Sequence, residues 1–276
     1  MNLKNYLKRR QTLVNKALGR CLPRTSQFPG SIHKAMRYSV LGEGKRIRPI
    51  LALAACEAVG GPVSSVLPAA CALEMIHAYS LVHDDLPAMD DDDERRGKPS
   101  CHKKFGEAIG VLAGDALLTF SFELLATGRR NGRSDIHLQV IKEIAQAIGT
   151  DGMIGGQVVD VAPVKGGRVA PATMEYINSR KTGALLSASV RIGALLGGAS
   201  PRQYQAIRLY GDRIGLVFQW VDDLLDQDGA VRLYGAADVR RKAERLTQSA
   251  ISALAPFGKK AEPLRALARF ILTRNF

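Results

Sequence analysis

The sequence predicts an all-α protein, and three observations support this fold class. Ala, Leu and Gly are plentiful, aromatic residues make up only 6% of the chain, and β-branched runs are short. Leu3, Leu7, Val14 and Leu18 recur at the spacing of an amphipathic helix. Hydrophobic residues make up 46% of the 276 positions, enough for a substantial core, and no low-complexity linker divides the chain. We therefore expect one helical domain over residues 1–276.

Helical periodicity, with Gly, Pro and Ser at the breaks, predicts the elements in order. After the first helix, further helices are expected at about residues 31–41, 50–59, 65–86, 106–127, 135–149, 171–197, 201–227, 236–254 and 260–274. The expected breaks include Gly128–Arg133 and Gly166–Gly167. A Gly-rich helix around GGQVVD would present Gln157 and Asp160 as a polar patch.

Composition and charge pattern indicate which classes of partner and which cellular environment to expect. The formal charge is +13, but no aromatic residues that could stack on bases are interleaved with the basic ones, so we do not expect nucleic-acid binding. Glu57 and Asp115 interrupt the longest apolar stretches well short of the roughly 20 residues of a membrane span, so none is expected. The four cysteines form no C-x-x-C pair and the amino terminus lacks an apolar signal region, which favours reduced thiols in the cytoplasm.

The segment VDDLLDQD concentrates negative charge on one side of a predicted helix. At about 100° per residue, Asp222 and Asp226 fall within about 40° of each other, with Asp223 beside them. Like charges at this spacing destabilise a bare helix, so either solvent or a bound cation must compensate. The apolar flanking residues favour a cation.

A second acidic cluster, HDDLPAMDDDDERRG, crowds seven carboxylates between Asp84 and Glu94. Pro87 disfavours helical geometry in the residue before it, so the helix is expected to end near Leu86. A continuous helix would place Asp90 about 240° from Asp84, and a break allows these carboxylates to share a site. Oxygen-only ligands suit Mg²⁺ or Ca²⁺, and Mg²⁺ typically combines carboxylates with substrate phosphates. A solvated acidic loop is the alternative.

The sequence also carries cations that could bind a phosphorylated substrate. They are Arg95 and Arg96 after the acidic cluster, Lys45, Arg46 and Arg48 in GEGKRIRP, and Lys181 beside Thr182 in SRKTGALL. GEGKRIRP is not a P-loop, because Lys45 is followed by Arg rather than Ser or Thr. His77 lies seven residues before Asp84 on nearly the same helix face, although a lone His on an apolar helix is usually an ordinary core residue.

Taken together, these motifs resemble those of the trans-prenyl diphosphate synthases, the farnesyl and geranylgeranyl diphosphate synthase family. The matching segments are GKRIRP, IHAYSLVHDDLPAMDDDDERRG, GEAIGVLAGDALL, GGQVVD, KTGALL and GLVFQWVDDLLD, in that family's order. The resemblance implies an all-α bundle around a deep central cavity, usually a homodimer. It also implies Mg²⁺-dependent head-to-tail condensation of isopentenyl diphosphate with an allylic diphosphate.

The same resemblance implies roles for individual residues. The ligands that would hold several Mg²⁺ ions on the allylic diphosphate are Asp84, Asp85, Asp90, Asp222, Asp223 and Asp226. That diphosphate would be bound by Arg95, Lys181 and Gln219, with Thr182 steadying the cation, and isopentenyl diphosphate by Lys45, Arg48, His77 and Arg96. The residues expected to act directly in catalysis are Asp84, Asp85, Asp90, Arg95, Lys181, Asp222 and Asp223. The neighbouring carboxylates Asp91, Asp92 and Asp93 are expected to be solvated or to lie behind the metal ligands.

The predicted product length rests on the first aspartate motif. Its seven-residue form DDLPAMD, with the aromatic Tyr79 five positions before the first Asp, resembles the bacterial farnesyl type. This favours farnesyl diphosphate as the product, with geranylgeranyl diphosphate as the alternative. Helical geometry alone does not support the role of Tyr79, because Ser80 lies about 40° from Asp84 and Tyr79 about 140°. Tyr79 and Ser80 are therefore both candidate chain-length residues.

The sequence departs from the family pattern after Asp226. The family continues into a Gly- and Lys-rich segment, whereas QDGAVRLYG runs almost directly into AADVRRKAERL, roughly two dozen residues short. The lysine that usually closes over the allylic diphosphate is thereby lost, and Arg232 is a conceivable substitute. Three alternatives follow: an active enzyme with a shortened lid, a segment absent only from this sequence, and a non-catalytic binding or regulatory homologue. A head-to-head synthase or terpene cyclase is weaker, since neither needs the full set of isopentenyl diphosphate ligands.

Overall fold

The computed structural model describes residues 1–127, 134–162, 170–227 and 229–274. These residues are almost entirely helical, which confirms the predicted all-α class. The helices are α1 (Leu3–Cys21), α2 (Gly30–Leu41), α3 (Ile47–Val59), α4 (Val63–Asp84), α5 (Cys101–Phe105), α6 (Glu107–Thr127), α7 (Ser134–Ile148), α8 (Met153–Val161), α9 (Pro171–Ile177), α10 (Ala184–Leu196), α11 (Pro201–Asp226), α12 (Ala230–Tyr234), α13 (Ala236–Ala253) and α14 (Glu262–Thr273). A short antiparallel hairpin, β1 (Glu94–Arg95) and β2 (Lys98–Pro99), lies between α4 and α5.

The chain divides into two compact units, which are described separately. Unit 1 comprises Met1–Tyr6, Leu51–Val66 and Ser134–Phe276, and unit 2 comprises Leu7–Ile50 and Leu67–Arg133. The single domain expected over residues 1–276 stays a prediction.

In unit 1, glycines allow α11 to pack closely on α10, and α10 to pack closely on α3. A Cβ on Gly211 would lie 2.5 Å from Val190, and one on Gly193 would lie 2.1 Å from the carbonyl oxygen of Ala52 in α3. Tyr210 is fully buried, and its hydroxyl donates to the carbonyl of Leu264 at 2.8 Å. These contacts fix the face of α11 that leads to its acidic end.

In unit 2, α2, α4, α5 and α6 share a hydrophobic cluster. Its buried members are Ala35, Val82, Cys101 and Ala113, with Ile32, Phe105 and Ile109 packed against them. Gly114 of α6 lies against the ring of His83 in α4, where a Cβ would approach to 2.0 Å. The carboxyl end of α4 is therefore anchored just before the acidic turn.

Several predicted elements differ from those in the structure. The helix expected over 171–197 is α9 and α10 joined by a π-helical turn, Asn178–Gly183. The carboxyl-terminal helix expected over 260–274 is α14, preceded by a 3₁₀ turn at Ala255–Ala261. The hairpin, α5 and α12 were not predicted, and the breaks expected at Gly128–Arg133 and Gly166–Gly167 lie outside the described residues.

Two of the described helices are long and apolar enough to cross a membrane by length and composition alone. They are Val63–Asp84 and Glu107–Thr127, with 67% and 33% of the tested stretch buried. Core helices of soluble proteins pass the same test, so this is weak evidence for a span. The absence of a membrane span stays a prediction.

Candidate active site

The first acidic cluster lies on a turn that brings its two ends together. Helix α4 ends at Asp84, and the N–H of Asp90 donates to the Asp84 carbonyl at 2.9 Å. The carbonyl of Leu86 accepts from the N–H groups of Met89 at 2.9 Å and Asp91 at 3.1 Å. The predicted end of the helix near Leu86 and the return of Asp90 toward Asp84 are confirmed.

Arg95 is held in place by two carboxylates. Its Nε donates to Oδ1 of the buried Asp85 at 2.9 Å, and its Nη2 donates to the same oxygen and to Asp92 Oδ2 at 2.8 Å. The hydrogen bond that Arg95 donates to Asp85, the largest influence, raises the pKa of Arg95. Arg95 is thus a fixed cation, and Asp92 is exposed yet bonded to it.

A tight hairpin turn presents Arg96. Arg96 has φ 56° and Gly97 has φ 71°, the two positive values of a type I′ turn between β1 and β2. A non-Gly residue in this region is strained, and such strain concentrates at functional sites. The Nη1 of Arg96 donates to the carbonyl of Glu43, which connects the hairpin to the GEGKRIRP segment.

Gly44 makes room for two guanidinium groups. A Cβ there would lie 2.8 Å from Nη1 of Arg46 and 2.9 Å from Nη1 of Arg96. Arg46 is buried, with its Nη1 donating to Glu74 Oε1 at 2.6 Å and its Nε to Asn15 Oδ1 at 2.9 Å. Its Nη2 donates to the carbonyl of Val40, near the end of α2, at 2.8 Å and to the carbonyl of Gly42 at 2.7 Å. Among the cations considered for phosphate, Arg46 instead shapes the loop that carries Lys45 and Arg48.

His77 lies in a strongly basic environment. Burial, the largest influence, holds the pKa of His77 well below 6.5, and the charges of Arg48 and Arg96 lower this pKa further. The ring is therefore neutral at neutral pH. The structure places Arg48 and Arg96 within electrostatic range of His77. The exposed Lys45 belongs to the same loop as Arg48, and the binding of an anion by this group stays a prediction.

In unit 1, Asp223 is almost fully occupied by hydrogen bonds. The side chain is buried, and its Oδ1 accepts from Gln219 Nε2 at 3.0 Å. Its Oδ2 accepts from Asn178 Nδ2 at 3.1 Å and from the N–H of Ala230 at 2.9 Å. Asp223 thereby joins α11 to the π-helical turn and to the start of α12.

Asp222, the preceding residue, is partly exposed and faces a cation. Nη2 of Arg274 donates to Asp222 Oδ1 at 2.5 Å and to the carbonyl of Phe218 at 2.7 Å. Burial raises the pKa of Asp222 despite the opposing effect of Arg274, and the charges of Asp226 and Asp223 contribute to the rise. Asp226 is exposed at the end of α11. Arg274 therefore supplies part of the positive charge that the crowded carboxylates of this cluster require.

Lys181 and Thr182 lie in the π-helical turn, a feature frequent at functional sites. Nζ of Lys181 donates to Asp160 Oδ2 at 2.6 Å. A Cβ on Gly156 would lie 2.3 Å from the backbone nitrogen of Lys181, so the Gly-rich α8 must pass directly against this turn. Of the polar patch expected on α8, Asp160 contacts Lys181, and the side-chain amide atoms of Gln157 are buried without a partner among the described residues.

Tyr79 and Ser80 occupy different surroundings on α4. Tyr79 is buried, and its hydroxyl has no hydrogen-bond partner in the described part of the chain. Burial, with a smaller contribution from Asp84, raises the pKa of Tyr79 to about 12. Ser80 Oγ donates to the carbonyl of His77 at 3.0 Å. Tyr79 is thus a bulky core side chain one turn before the acidic residues.

The donor chemistry of both acidic clusters fits Mg²⁺. All six predicted ligands offer carboxylate oxygens, the ligand type that Mg²⁺ prefers alongside water and phosphate. In unit 2, the turn joins Asp84 to Asp90, and Arg95 engages one oxygen of Asp85. In unit 1, Asp222 and Asp226 influence each other electrostatically. Both clusters therefore retain carboxylate oxygens suited to a hard cation.

Sequence reasoning missed the partners that lie far away in the chain. Arg274 and Asn178 reach the second cluster from 52 and 45 residues away, and Glu74 reaches Arg46 from 28 residues away. No local pattern marks Arg274.

The described residues form an all-α protein that carries two clusters of carboxylates with basic side chains beside them. Residues 29–242 match the family described as polyprenyl synthetase. The chain therefore belongs to this family and is a prenyltransferase.

Named relatives and a solved structure agree with this assignment. The chain is 43% identical to a dimethylallyltranstransferase from Fischerella ambigua (strain UTEX 1903), over 99% of this chain and 84% of that protein. It is 42% identical to a geranylgeranyl diphosphate synthase from Cyanophora paradoxa, over 99% and 97% of the two chains. It also resembles the crystal structure of an FPP/GFPP synthase from Zymomonas mobilis, with a TM-score of 0.91 and 36% identity over 98% and 99% of the two chains.

The lengths of these alignments bear on the expected missing segment. Both sequence alignments run over 293 positions, more than the 276 residues of this chain. The two relatives therefore contain residues that this chain lacks, and the position expected for the shortened segment stays a prediction.

Proposed function

We propose that the protein catalyses the Mg²⁺-dependent head-to-tail condensation of isopentenyl diphosphate with dimethylallyl or geranyl diphosphate, giving farnesyl diphosphate. The observation that carries this proposal is the hairpin of unit 2. Its Arg95 contacts the carboxylate turn through Asp85, and its Arg96 contacts the loop of the basic group around His77. Carboxylates for a metal-bound diphosphate and cations for a second diphosphate are thus parts of one small structure.

The reaction requires charge separation followed by carbon–carbon bond formation. The C–O bond of the allylic diphosphate breaks, and its electron pair leaves with the diphosphate. The double bond of isopentenyl diphosphate then forms a bond to the allylic cation, which leaves a positive charge on the adjacent carbon. A proton passes from the next carbon to an oxygen of the released diphosphate, and the electron pair of that C–H bond forms the new double bond. When bound, Mg²⁺ supplies Lewis-acid stabilisation of the leaving diphosphate.

The protein's own cations act on the two diphosphates in different ways. Arg95, fixed by Asp85, would donate hydrogen bonds to oxygens of the leaving diphosphate. Negative charge develops on these oxygens in the transition state, where electrostatic stabilisation accelerates the reaction. Arg48, Arg96 and Lys45 would hold isopentenyl diphosphate. The neutral His77 can donate a hydrogen bond to that diphosphate without needing a proton from solvent.

The second cluster is proposed to bind the allylic diphosphate as well. Asp222, Asp223 and Asp226 would provide carboxylate oxygens to Mg²⁺, and Lys181 with Gln219 and Thr182 would contact phosphate. Asp223 and Gln219 are hydrogen-bonded to each other, so their geometry is set before substrate arrives.

The proposed fifteen-carbon product depends on Tyr79, whose bulk on α4 would limit the growing chain. A twenty-carbon product is the second candidate, favoured because a relative 42% identical carries the name geranylgeranyl diphosphate synthase. The remaining candidate is a catalytically impaired or regulatory homologue, because the segment after Asp226 is short. We further propose a cytoplasmic location and a homodimer.

One assay separates these candidates. Purified protein is incubated with Mg²⁺, isopentenyl diphosphate and dimethylallyl, geranyl or farnesyl diphosphate, and the products are identified by chromatography. A fifteen-carbon product supports the proposal, and a twenty-carbon product replaces it with the second candidate. Absence of elongation with every allylic substrate would exclude a synthase.

Replacement of Tyr79 tests the origin of the product length. Tyr79→Ala removes a buried ring, and we expect products longer by one or more five-carbon units under the same conditions. Ser80→Ala tests the other candidate, and we expect an unchanged product length, because its hydroxyl is bonded to its own helix and the change removes little bulk. Unchanged product length in Tyr79→Ala would remove this residue from the role.

A further inference from the structure

A group of three side chains next to the hairpin has no part in the proposed reaction. One carboxylate oxygen each of Asp91 and Asp93 and one ring nitrogen of His102 lie within 4.8 Å of one another. The backbone brings them together, because the N–H of Ser100 donates to the carbonyl of Asp93 at 2.9 Å across the hairpin. Asp91 is held in turn by its N–H bond to Leu86.

His102 is buried with one ring nitrogen near a hydroxyl and the other available to a metal ion. The residue is only 4% exposed, and its Nδ1 lies 3.0 Å from the hydroxyl of Ser100, which is only 1% exposed. Its Nε2 is buried and has no hydrogen-bond partner among the residues that the structure describes. An unsatisfied buried nitrogen is costly, so its retention needs an explanation. With the ring proton on Nδ1, toward Ser100, Nε2 presents an unused lone pair.

The two carboxylates provide the negative charge and the access that an ion needs. Asp91 and Asp93 are both exposed, so water and ions can reach them. Asp93 Oδ1 accepts from Lys103 Nζ at 2.7 Å. The exposed Lys103 brings one positive charge against the two negative charges of the aspartates, and such a surface ion pair is weak enough to be exchanged for a bound cation.

We propose that Asp91, Asp93 and His102 form a binding site for one divalent transition-metal ion, with Zn²⁺ as the cation that its ligands fit best. Imidazole is a favoured ligand of Zn²⁺, whereas Mg²⁺ is bound by oxygen alone. The site is therefore chemically distinct from the oxygen-only set Asp84, Asp85 and Asp90. Three protein ligands leave a position for water, and the hydroxyl of Ser100 fixes the orientation of the imidazole.

The bound ion would stabilise the hairpin. It connects Asp91 and Asp93, which precede β1, to His102, which follows β2. The two arginines of the hairpin would then be held on a loop closed by metal as well as by backbone hydrogen bonds. An ion that binds only the folded chain raises the melting temperature with its concentration.

The test measures Zn²⁺ binding without any diphosphate, so its result does not depend on the proposed reaction. Metal-free wild type, Asp91→Asn, Asp93→Asn and His102→Gln are titrated with Zn²⁺ against a competing chelator, and their melting temperatures are followed. We expect one tight equivalent in the wild type and affinities at least about tenfold weaker in each variant. Asp135→Asn, an exposed aspartate of α7, is the matched control and should bind as the wild type does.

X-ray absorption of the Zn²⁺-loaded protein supplies the second readout. Imidazole scattering is expected in the wild type and in Asp135→Asn. The exposed positions of Asp91 and Asp93 keep the test meaningful if the buried His102→Gln variant fails to fold. Wild-type affinity in both aspartate variants, or a Zn²⁺ spectrum without imidazole, would overturn the proposal.

Discussion

Asp222 and Asp223 are adjacent in the sequence but have different partners. Asp223 is buried and receives hydrogen bonds from two side-chain amides and a backbone N–H, which stabilise its charge without a cation. Asp222 is partly exposed and paired with Arg274. Asp223 is therefore held in one position by its partners, whereas Asp222 can exchange Arg274 for another cation.

Arg274 is predicted to stabilise the carboxyl-terminal part of unit 1. Its side chain is 8% exposed, and its guanidinium stacks 3.7 Å from the ring centroid of Phe218. Arg274→Gln should lower the free energy of unfolding by roughly 1–3 kcal/mol, because hydrogen bonds to a charged, partly buried group are lost. Urea-induced unfolding measures this change.

Arg269→Gln is the matched control, on the same helical segment. Arg269 is 57% exposed and pairs with Glu262 at 3.4 Å, so its loss should cost only about 0–1 kcal/mol. Equal losses in the two variants would contradict the stabilising role of Arg274.

His77 should make stability depend on pH. Its pKa in the folded chain lies well below 6.5, so between these two values the unfolded chain binds more protons. Stability is therefore complete above about pH 6.5 and falls as the pH drops toward the folded pKa. Urea unfolding at about pH 7.5 and 5.5 should show a smaller loss of stability in His77→Gln than in the wild type. A wild-type loss in His77→Gln would refute this.

Local chemistry explains which site residues the sequence could identify. Pro87 fixes the end of α4 through its own ring, so the return of Asp90 was predictable from neighbouring residues. The partners Arg274 and Asn178 depend on how distant helices pack, which no local pattern encodes. The structural role of Arg46 was also hidden, because it lies between two other basic residues of the same motif.

At the scale of elements, long amphipathic helices were predictable and short connecting ones were not. Helix α11 begins with a capping box at Ser200 and Gln203, a local signal. The five-residue α12 has no such signal, and it forms where Asp223 accepts the N–H of Ala230. The π-helical turn likewise depends on the close passage of Gly156, a contact between separate helices.

Two glycines that flank α12 allow a controlled test of this arrangement. Gly229 has φ 54° and a Cβ there would lie 2.7 Å from the Asp223 carboxyl group, whereas Gly235 has φ 80° and open space around it. Both Ala variants incur backbone strain of roughly 1–2 kcal/mol. Gly229→Ala should lose at least about 1 kcal/mol more, because Asp223 must also move.

Chemical denaturation of both variants measures the difference in stability. The proposed function adds a second expectation, since displacement of Asp223 should raise the KM for the allylic diphosphate in Gly229→Ala more than in Gly235→Ala. Indistinguishable stabilities would show that the contact with Asp223 does not constrain residue 229.

For the whole molecule, α6 offers the strongest reason to expect association with a second copy. Only a third of its apolar stretch is buried, and Val111 and Leu112 are 42% and 53% exposed. Apolar side chains on one exposed helix surface are typical of protein interfaces. Val111 and Leu112 lie four and three residues before Asp115, so both side chains lie next to that residue on the surface of α6.

The proposed homodimer therefore predicts a clear effect of charge on α6. The wild type should have the mass of a dimer, and Leu112→Glu should shift the protein toward the monomer, because a carboxylate would be buried in an apolar interface without a partner. Phe28→Asp is the control: Phe28 is 92% exposed on the segment before α2, and its replacement should leave the dimer intact. Size-exclusion chromatography with light scattering, at several protein concentrations, measures the mass. A monomeric wild type, or a Leu112→Glu variant that remains fully dimeric, would argue against α6 as the interface.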